Sequence, residues 1–277
     1  MISPAKTVAA IHDLSGVGRC ALTVVLPVLS AMGAQACPVP TAILSAHTAF
    51  DGIAALDLTD FLPRFLDHWN RLGLRFDCVY AGYLASPGQV GIVADFLDGQ
   101  QAAMRVLDPV MGDDGQLYTG MAASMPETWR NLVSRSDVIT PNLTEYALLA
   151  KEEFSLRPRT EREAKRMLRN LLDMGAGSAV ITSLPMPGGP ANAYMRADRA
   201  LGLCPYERLP AHYPGTGDLF ASVLTGALVA GETLERAVAR ATDFSSRAVA
   251  RSMETGVPVQ YGVDLEPLLP LLIAGKR

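Results

Sequence analysis

Cysteine, excess positive charge and long apolar runs are all scarce in this 277-residue sequence. Its four cysteines are widely spaced and form no C-x-x-C pair, so we expect reduced thiols rather than a zinc site or a disulfide framework. Lysine and arginine number 24 against 28 acidic residues, for a net charge of −4. This balance argues against a nucleic-acid partner, and an anionic substrate would have to be bound locally.

No stretch of the sequence has the length of a membrane span. The apolar run over residues 21–32 is too short to cross a bilayer and contains Pro27. The first residues lack the apolar segment and the small-residue cleavage site of a secretory signal. We therefore expect a cytoplasmic protein with no membrane partner.

Two common nucleotide-binding motifs are absent or incomplete. The sequence contains no G-x-x-x-x-G-K-[ST], which excludes a P-loop. The stretch GVGRCA at residues 16–21 fits G-x-G-x-x-A, but no acidic residue lies between Asp13 and Asp51 to bind the ribose hydroxyls. A dinucleotide site at this loop is therefore disfavoured.

Short apolar runs alternate with longer amphipathic windows through the first two thirds of the chain. Strands are predicted over residues 7–11, 35–40, 78–81, 104–107, 137–140 and 178–182. Helices are predicted over residues 21–32, 59–72, 89–99, 124–134, 144–150 and 160–174, with a capping box at Thr160 and Glu163. This alternation is typical of an α/β fold with a parallel sheet and helices on both faces.

The pattern changes after residue 182. SLPMPGGP at residues 183–190 is typical of a loop, and residues 191–209 alternate like antiparallel strands with a turn at residues 197–199. Helices are then predicted over residues 218–230, 234–253 and 264–273. Because no repeat or long linker divides the chain, we expect one domain over residues 1–277.

Polar loops follow several of the predicted strands, and ligands of parallel sheets bind beyond such carboxyl ends. Asp108 begins DPVMGDDG, and TPNLTE contains Asn142 and Glu145. These two would share one face of a helix start, where an amide and a carboxylate suit a hydrated Mg²⁺. The alternative is a helix cap with an acidic first turn.

The stretch PGTGDLF at residues 214–220 precedes an apolar helix. Unpaired N–H groups and the helix dipole at such a start can hold an anion. The alternative is an ordinary N-cap by Thr216, with Asp218 offsetting the dipole. Acidic residues near a metal, combined with an anion-binding helix start, favour phosphoryl transfer from a nucleotide.

The motifs DPVMGDDG, TPNLTE, ITS and PGTGDLF, in this order and spacing, resemble those of the ribokinase-like (PfkB-type) small-molecule kinases. SAHT at residues 45–48 and AGYLAS at residues 81–86 resemble the vitamin B6 kinase branch, which phosphorylates pyridoxal, pyridoxine or pyridoxamine. The resemblance implies a three-layer α/β/α fold with a central, mostly parallel sheet and little or no separate lid domain. It also implies ATP as the phosphoryl donor, Mg²⁺ and a homodimer, and it leaves a monovalent cation open.

The resemblance assigns roles to individual residues. Asp218 matches the catalytic base, which takes the proton of the substrate's hydroxymethyl group, and the backbone of Gly215, Thr216 and Gly217 matches the anion hole. Asn142, Glu145 and Asp108 match the metal site. The positions that match nucleotide contacts are Asp108, Thr140, Glu145 and Thr182. The positions that match substrate contacts are Asp13, Thr48, Tyr83 and Asp218.

One position departs from the pattern, because many pyridoxal kinases have a serine where this chain has Asp13. A carboxylate favours a protonated pyridine or a cationic amine, so pyridoxamine or another protonated pyridine is the expected preference. The alternative is a loop carboxylate that binds backbone N–H groups. The closest alternative is a hydroxymethylpyrimidine kinase of thiamine synthesis, which shares the anion hole. A sugar kinase and a non-catalytic B6-binding protein are the remaining alternatives.

Overall fold

The computed structural model describes residues 4–101, 103–196 and 200–273, over which strands and helices alternate. The strands are β1 Lys6–Ser15, β2 Ala34–Leu44, β3 Ala55–Asp57, β4 Cys78–Ala81, β5 Met104–Leu107, β6 Gly112–Asp113, β7 Gln116–Leu117, β8 Val138–Ile139, β9 Ser178–Met186, β10 Gly189–Arg196 and β11 Gly202–Pro205. The α-helices are α1 Leu22–Ala31, α2 Leu62–Arg71, α3 Pro87–Gly99, α4 Met125–Val133, α5 Leu143–Ala150, α6 Glu161–Asp173, α7 Thr216–Val229 and α8 Leu234–Thr255.

One large sheet runs through the described part of the chain in the order β11-β10-β9-β8-β5-β4-β1-β2-β3. The six strands from β9 to β2 in this order are parallel to one another. Antiparallel pairing adds β3 at one edge and β10 with β11 at the other. All six strands predicted from the sequence belong to the parallel part.

Helices cover both faces of this sheet, which gives the three-layer α/β/α fold that the resemblance implied. Along β1, Ala9 and Ile11 belong to the core under α2 to α6, whereas Val8 and Ala10 belong to the core under α1, α7 and α8. Successive side chains of a strand point to opposite faces, so a strand buried on both faces is apolar throughout. This explains why β1 and β4 read as continuous apolar runs.

Local signals set several helix boundaries. The side chain of Thr160 accepts a hydrogen bond from the N–H of Glu163, whose carboxylate accepts one from the N–H of Thr160. This reciprocal capping box at the start of α6 confirms the sequence prediction.

Other boundary predictions are wrong. Residues 183–190 are not a loop, because β9 continues to Met186 and β10 begins at Gly189, leaving a two-residue turn between them. The helix predicted over residues 264–273 is a shorter 3₁₀ helix at Glu266–Leu272, where Pro270 removes the N–H that an α-helix would use. The predicted turn at residues 197–199 lies outside the described residues. None of the described helices is long and apolar enough to cross a membrane.

Candidate active site

The carboxyl ends of the parallel strands bring together acidic side chains that are far apart in the sequence. Asp13 lies near the end of β1, Asp108 directly follows β5, Glu145 lies in the first turn of α5 and Asp218 in the first turn of α7. Burial and then the negative charge of Asp218 raise the pKa of Asp108, and burial and then the charge of Asp108 raise the pKa of Glu145. The predicted metal and base residues therefore share one electrostatic environment.

Helix α7 begins without a side-chain cap, so the N–H groups of its first turn lack a side-chain acceptor among the residues that the structure describes. Gly215 is the N-cap with φ of 78°, and a Cβ there would lie 1.9 Å from the carbonyl oxygen of Arg19. The hydroxyl of Thr216 donates to the carbonyl of Tyr213 at 2.7 Å and does not cap the helix. A Cβ on Gly217 would have no atom within 4 Å among the described residues, its chain neighbours and its own helix backbone aside. The turn is thus tightly packed behind Gly215 and open in front of Gly217, as an anion-binding helix start requires.

Asp218 is held in this turn with its side chain 14% exposed. Its Oδ2 accepts a hydrogen bond from the N–H of Ala21 at 2.9 Å. Burial, together with the charge of Asp13, raises the pKa of Asp218 to about 7, although the Ala21 N–H opposes the rise. A carboxylate with this pKa can accept a proton near neutral pH.

The N–H that holds Asp218 comes from a strained backbone. Ala21 has φ of 49° and ψ of −130°, a conformation that residues with a Cβ rarely adopt. Strain of this kind persists only where surrounding contacts enforce it, and it is concentrated at functional sites. No sequence signal points to this role of Ala21, because GVGRCALT carries no glycine at that position.

His12 lies behind the base and was not among the predicted site residues. It is fully buried, its Nδ1 lies 4.0 Å from Oδ1 of Asp218, and its ring packs edge-on against Tyr80. Neither ring nitrogen has a hydrogen-bond partner among the described residues. Burial lowers the pKa of His12 to about 3, so the imidazole is neutral and leaves the charge of Asp218 uncompensated.

The TPNLTE motif forms the helix cap that the sequence offered as an alternative to a metal site. Oδ1 of Asn142 accepts from the N–H of Glu145 at 2.9 Å, and Oε2 of Glu145 accepts from the N–H of Asn142 at 2.8 Å. Oε1 of Glu145 accepts from the N–H of Met111, and the amide of Asn142 donates to the carbonyl of Gly112. The cap therefore joins α5 to the loop after Asp108 and fixes where the Glu145 carboxylate lies.

Asp108 and Glu145 are buried carboxylates without a cationic partner in the described ranges, and burial is the main reason that both pKa values are raised well above the ordinary range. Oδ1 of Asp108 accepts from the hydroxyl of Thr140 at 3.1 Å. No group of three or more acidic, histidine or cysteine side chains among the described residues is arranged to hold a metal ion directly. Two carboxylates and an amide fit a Mg²⁺ that keeps most of its water.

Of the other residues predicted to contact the substrate, Asp13 lies close enough to Asp218 for its charge to raise the pKa of that residue, after the larger effect of burial. Asp13 is buried, and its Oδ2 accepts from the hydroxyl of Ser15 at 3.0 Å. Burial raises its pKa to about 6. Tyr83 is half-buried, and its pKa is raised by burial and by the nearby Asp13 and Asp57. Thr48 is exposed in the loop after β2.

The last two predicted nucleotide contacts are adjacent. The N–H of Thr182 in β9 donates to the carbonyl of Pro141 at 3.0 Å, which sets Thr182 beside the loop after β8. Thr140 is buried and its hydroxyl is already paired with Asp108. Thr182 is half-buried at the carboxyl end of the parallel sheet.

Known proteins match nearly the whole chain. The sequence profile described as phosphomethylpyrimidine kinase matches residues 25–262. The pyridoxine/pyridoxal/pyridoxamine kinase of Bordetella avium is 31% identical over 246 residues, which cover 84% of this chain and 81% of that protein. The pyridoxal kinase structure of Lactobacillus plantarum aligns with a TM-score of 0.90 and 36% identity, covering 97% of each chain.

A further structure relates the fold to a ligand. A candidate phosphomethylpyrimidine kinase of Bacteroides thetaiotaomicron, crystallised with pyridoxal, aligns with a TM-score of 0.91 and 43% identity. The alignment covers 97% of this chain and 96% of that one.

Alanine substitutions at Gly215 and Gly217 should differ in their effect on stability, because one position is tightly packed and the other is open. Gly215→Ala places a Cβ against the Arg19 carbonyl at positive φ, so we expect it to lower the free energy of unfolding by at least about 2 kcal/mol. Gly217→Ala meets no atom, so its stability should stay within about 1 kcal/mol of wild type. Urea denaturation measures both. Equal stability of the two variants would contradict the packing described for α7.

Proposed function

The chain belongs to the phosphomethylpyrimidine kinase family, and on that basis we propose that it transfers the γ-phosphoryl group of ATP to the hydroxymethyl group of a B6 vitamer. The observation that carries the proposal is the placement of Asp218, a carboxylate with a pKa of about 7, in the uncapped first turn of α7. Relatives named as kinases of pyridoxine, pyridoxal and pyridoxamine support the substrate class.

Asp218 acts as the general base in this proposal. As the hydroxymethyl oxygen attacks the γ-phosphorus, its proton passes to the carboxylate. The bond from the γ-phosphorus to the bridging oxygen breaks, and ADP leaves with that electron pair. The Ala21 N–H holds Oδ2 of Asp218 and so fixes the orientation of the base before the substrate arrives.

The start of α7 stabilises the charge that the transfer develops. The N–H groups of Gly215, Thr216 and Gly217 lie in a turn without a side-chain acceptor, and the helix dipole adds partial positive charge. These donors are fixed in place before the reaction, so no reorganisation is needed when charge builds on the phosphoryl oxygens.

We further propose that Mg²⁺ and the phosphates of ATP lie beside Asp108 and Glu145. The two buried carboxylates would hold the ion through water, with Asn142 orienting Glu145 through their shared cap. The ion would neutralise phosphate charge during transfer. Thr140, through Asp108, and Thr182 would shape the nucleotide end of the same site.

Phosphorylation of hydroxymethylpyrimidine is the second candidate function. The name of the matching family favours it. The relatives named for B6 kinases and the SAHT and AGYLAS motifs favour the vitamers, and both substrates present a hydroxymethyl group on a nitrogen heterocycle. The chemistry at Asp218 would be the same for either substrate.

ATP consumption against pyridoxal, pyridoxine, pyridoxamine and hydroxymethylpyrimidine tests the proposed function. We expect kcat/KM to be highest for one of the three vitamers. A kcat/KM that is highest for hydroxymethylpyrimidine would favour the second candidate, and no turnover of any of the four would overturn the assignment as a kinase of these substrates.

The Asp218→Asn variant tests the catalytic base in the same assay, because an asparagine side chain has nearly the same shape as an aspartate. We expect it to lower kcat by at least about a hundredfold, because it cannot accept the proton. In wild type, kcat/KM should fall about tenfold per pH unit below pH 7 and level off above it, since only the ionised Asp218 is a base. A loss of kcat below tenfold in the Asp218→Asn variant would contradict the role of Asp218 as the base.

Asp13 should set the preference among vitamers. Its carboxylate lies close enough to Tyr83 to raise the pKa of that residue, so it would face the same ring substrate and favour a cationic one. We expect wild type to prefer pyridoxamine, and Asp13→Asn or Asp13→Ser to reduce that preference about tenfold. The ratios of kcat/KM for the three vitamers measure this preference. A wild-type preference for pyridoxal would contradict the proposed role of Asp13.

We also propose that the protein is a cytoplasmic homodimer, as the resemblance to B6 kinases implies. Exposed apolar side chains at the β2–β3 edge and the start of α2 support the dimer, namely Ile43, Leu56 and Phe61. Light scattering of the purified chain should give twice the mass of 29.5 kDa. A mass of one chain at micromolar concentration would contradict the dimer.

A further inference from the structure

Strand β9 contains a β-bulge at the carboxyl end of the parallel sheet. In its pairing with β10, Ile181 faces Ala193 and Leu184 faces Ala191. Two residues of β9, Thr182 and Ser183, therefore lie opposite the single residue Asn192. Such bulges are frequent beside active sites, where they redirect the strand.

The bulge depends on an unusual backbone conformation. Ser183 has φ of 54°, in the left-handed region that a residue with a Cβ rarely adopts. The bulge also takes the N–H of Ser183 out of the regular ladder between β9 and β10. Both features have to be compensated by other contacts.

The side chain of Asn192 supplies that compensation. Its Oδ1 accepts the N–H of Ser183 at 2.9 Å, and its Nδ2 donates to the hydroxyl of Thr242 in α8 at 2.8 Å. Thr242 in turn donates to the carbonyl of Val238 at 2.7 Å. Asn192 and Thr242 are both buried, so these bonds are made away from solvent and orient the amide of Asn192.

The bulge connects this buried network to the candidate active site. The N–H of Thr182 donates to the carbonyl of Pro141, beside Asn142. The hydroxyl of Ser183 lies 2.7 Å from that of Tyr206, in the segment that leads to the start of α7. The conformation of Ser183 therefore sets how β9 meets the loop after β8, at the proposed nucleotide end of the site, and the segment before α7.

We propose that Asn192 is a positioning residue for the nucleotide phosphates, acting through the left-handed conformation of Ser183. This inference rests on the proposed function, because it takes Thr182 and Ser183 to border the ATP site. Asn192 itself contacts no substrate. Without it the bulge would relax, and only a fraction of the molecules would present Thr182 and Ser183 in the binding conformation.

The first measurement is the affinity of Asn192→Ala for a non-hydrolysable ATP analogue with Mg²⁺, by calorimetry. We expect Kd to rise about tenfold, because apparent affinity falls with the fraction of molecules in the competent conformation. The KM for the vitamer should change less than twofold. Unchanged affinity for the analogue, in a folded variant, would overturn the proposal.

Substitutions at Ser183 provide the decisive comparison. Glycine adopts positive φ without cost, so in the Ser183→Gly background the loss caused by Asn192→Ala should shrink to less than about threefold. Ser183→Ala removes the same hydroxyl but keeps the strain, so in that background the loss should stay near tenfold. Equal losses in the two backgrounds would contradict a role through the backbone of Ser183.

Gln100→Ala is the matched control for a purely structural effect. Gln100 is another buried amide that accepts a backbone N–H, from Phe76, and donates to a carbonyl, of Leu74, but it lies near the amino ends of β4 and β5. The Gln100→Ala variant should have a lower free energy of unfolding and an unchanged affinity for the ATP analogue. A loss of affinity equal to that of Asn192→Ala would show that destabilisation alone explains the effect.

Two further measurements keep the outcomes distinct. If Asn192→Ala does not fold, Thr242→Val removes the partner that orients the amide of Asn192. This variant should also weaken binding of the analogue, and unchanged binding would then overturn the proposal.

Because binding is measured without the vitamer, a wild type that binds the analogue but phosphorylates no vitamer refutes the proposed function alone. A wild type that turns over vitamers, with Asn192 variants at full affinity, refutes this inference alone.

Discussion

The close approach of Gly215 to the carbonyl of Arg19 is the contact on which the geometry of the candidate site depends. A Cβ at Gly215 would lie 1.9 Å from that oxygen, so only glycine lets the start of α7 pack against the loop after β1. The same loop provides the Ala21 N–H that holds Asp218. Arg19 also pairs with Glu266 near the end of the described chain. Three segments that are distant in the sequence are thereby held around one carboxylate.

Burial and like charge then determine the chemistry of that carboxylate. Asp13, Asp108, Glu145 and Asp218 lie close enough to one another that negative charge adds to the effect of burial on several of their pKa values. The neutral His12 adds no positive charge behind the base. Over the part of the chain that the structure describes, no cation pairs with Asp108 or Glu145. Such a group of acids destabilises the folded protein, and it is suited to bind Mg²⁺ and to accept a proton near neutral pH.

The two parts of the sheet contribute to the site in different ways. The parallel strands bring Asp13, Asp108 and Thr140 to one edge, because each of these residues lies at or just beyond a carboxyl end. The antiparallel strands β10 and β11 contribute no predicted site residue, but β10 pairs with β9 on either side of the bulge at Ser183. The buried bond from Asn192 to Thr242 ties this extension to α8, so the rim of the site is fixed by residues outside it.

The sequence alone determined the fold class and most of the candidate residues, because apolar periodicity and short polar motifs are local properties. All six predicted strands belong to the parallel sheet, and PGTGDLF and TPNLTE each begin a helix at its carboxyl edge. The sequence could not show that Ala21 and Ser183 adopt left-handed conformations, since neither is a glycine. Nor could it show that a histidine and an asparagine lie behind the site. Those features depend on which distant segments pack together, and only the tertiary contacts enforce a strained backbone or bury a carboxylate deeply enough to shift its pKa to about 7.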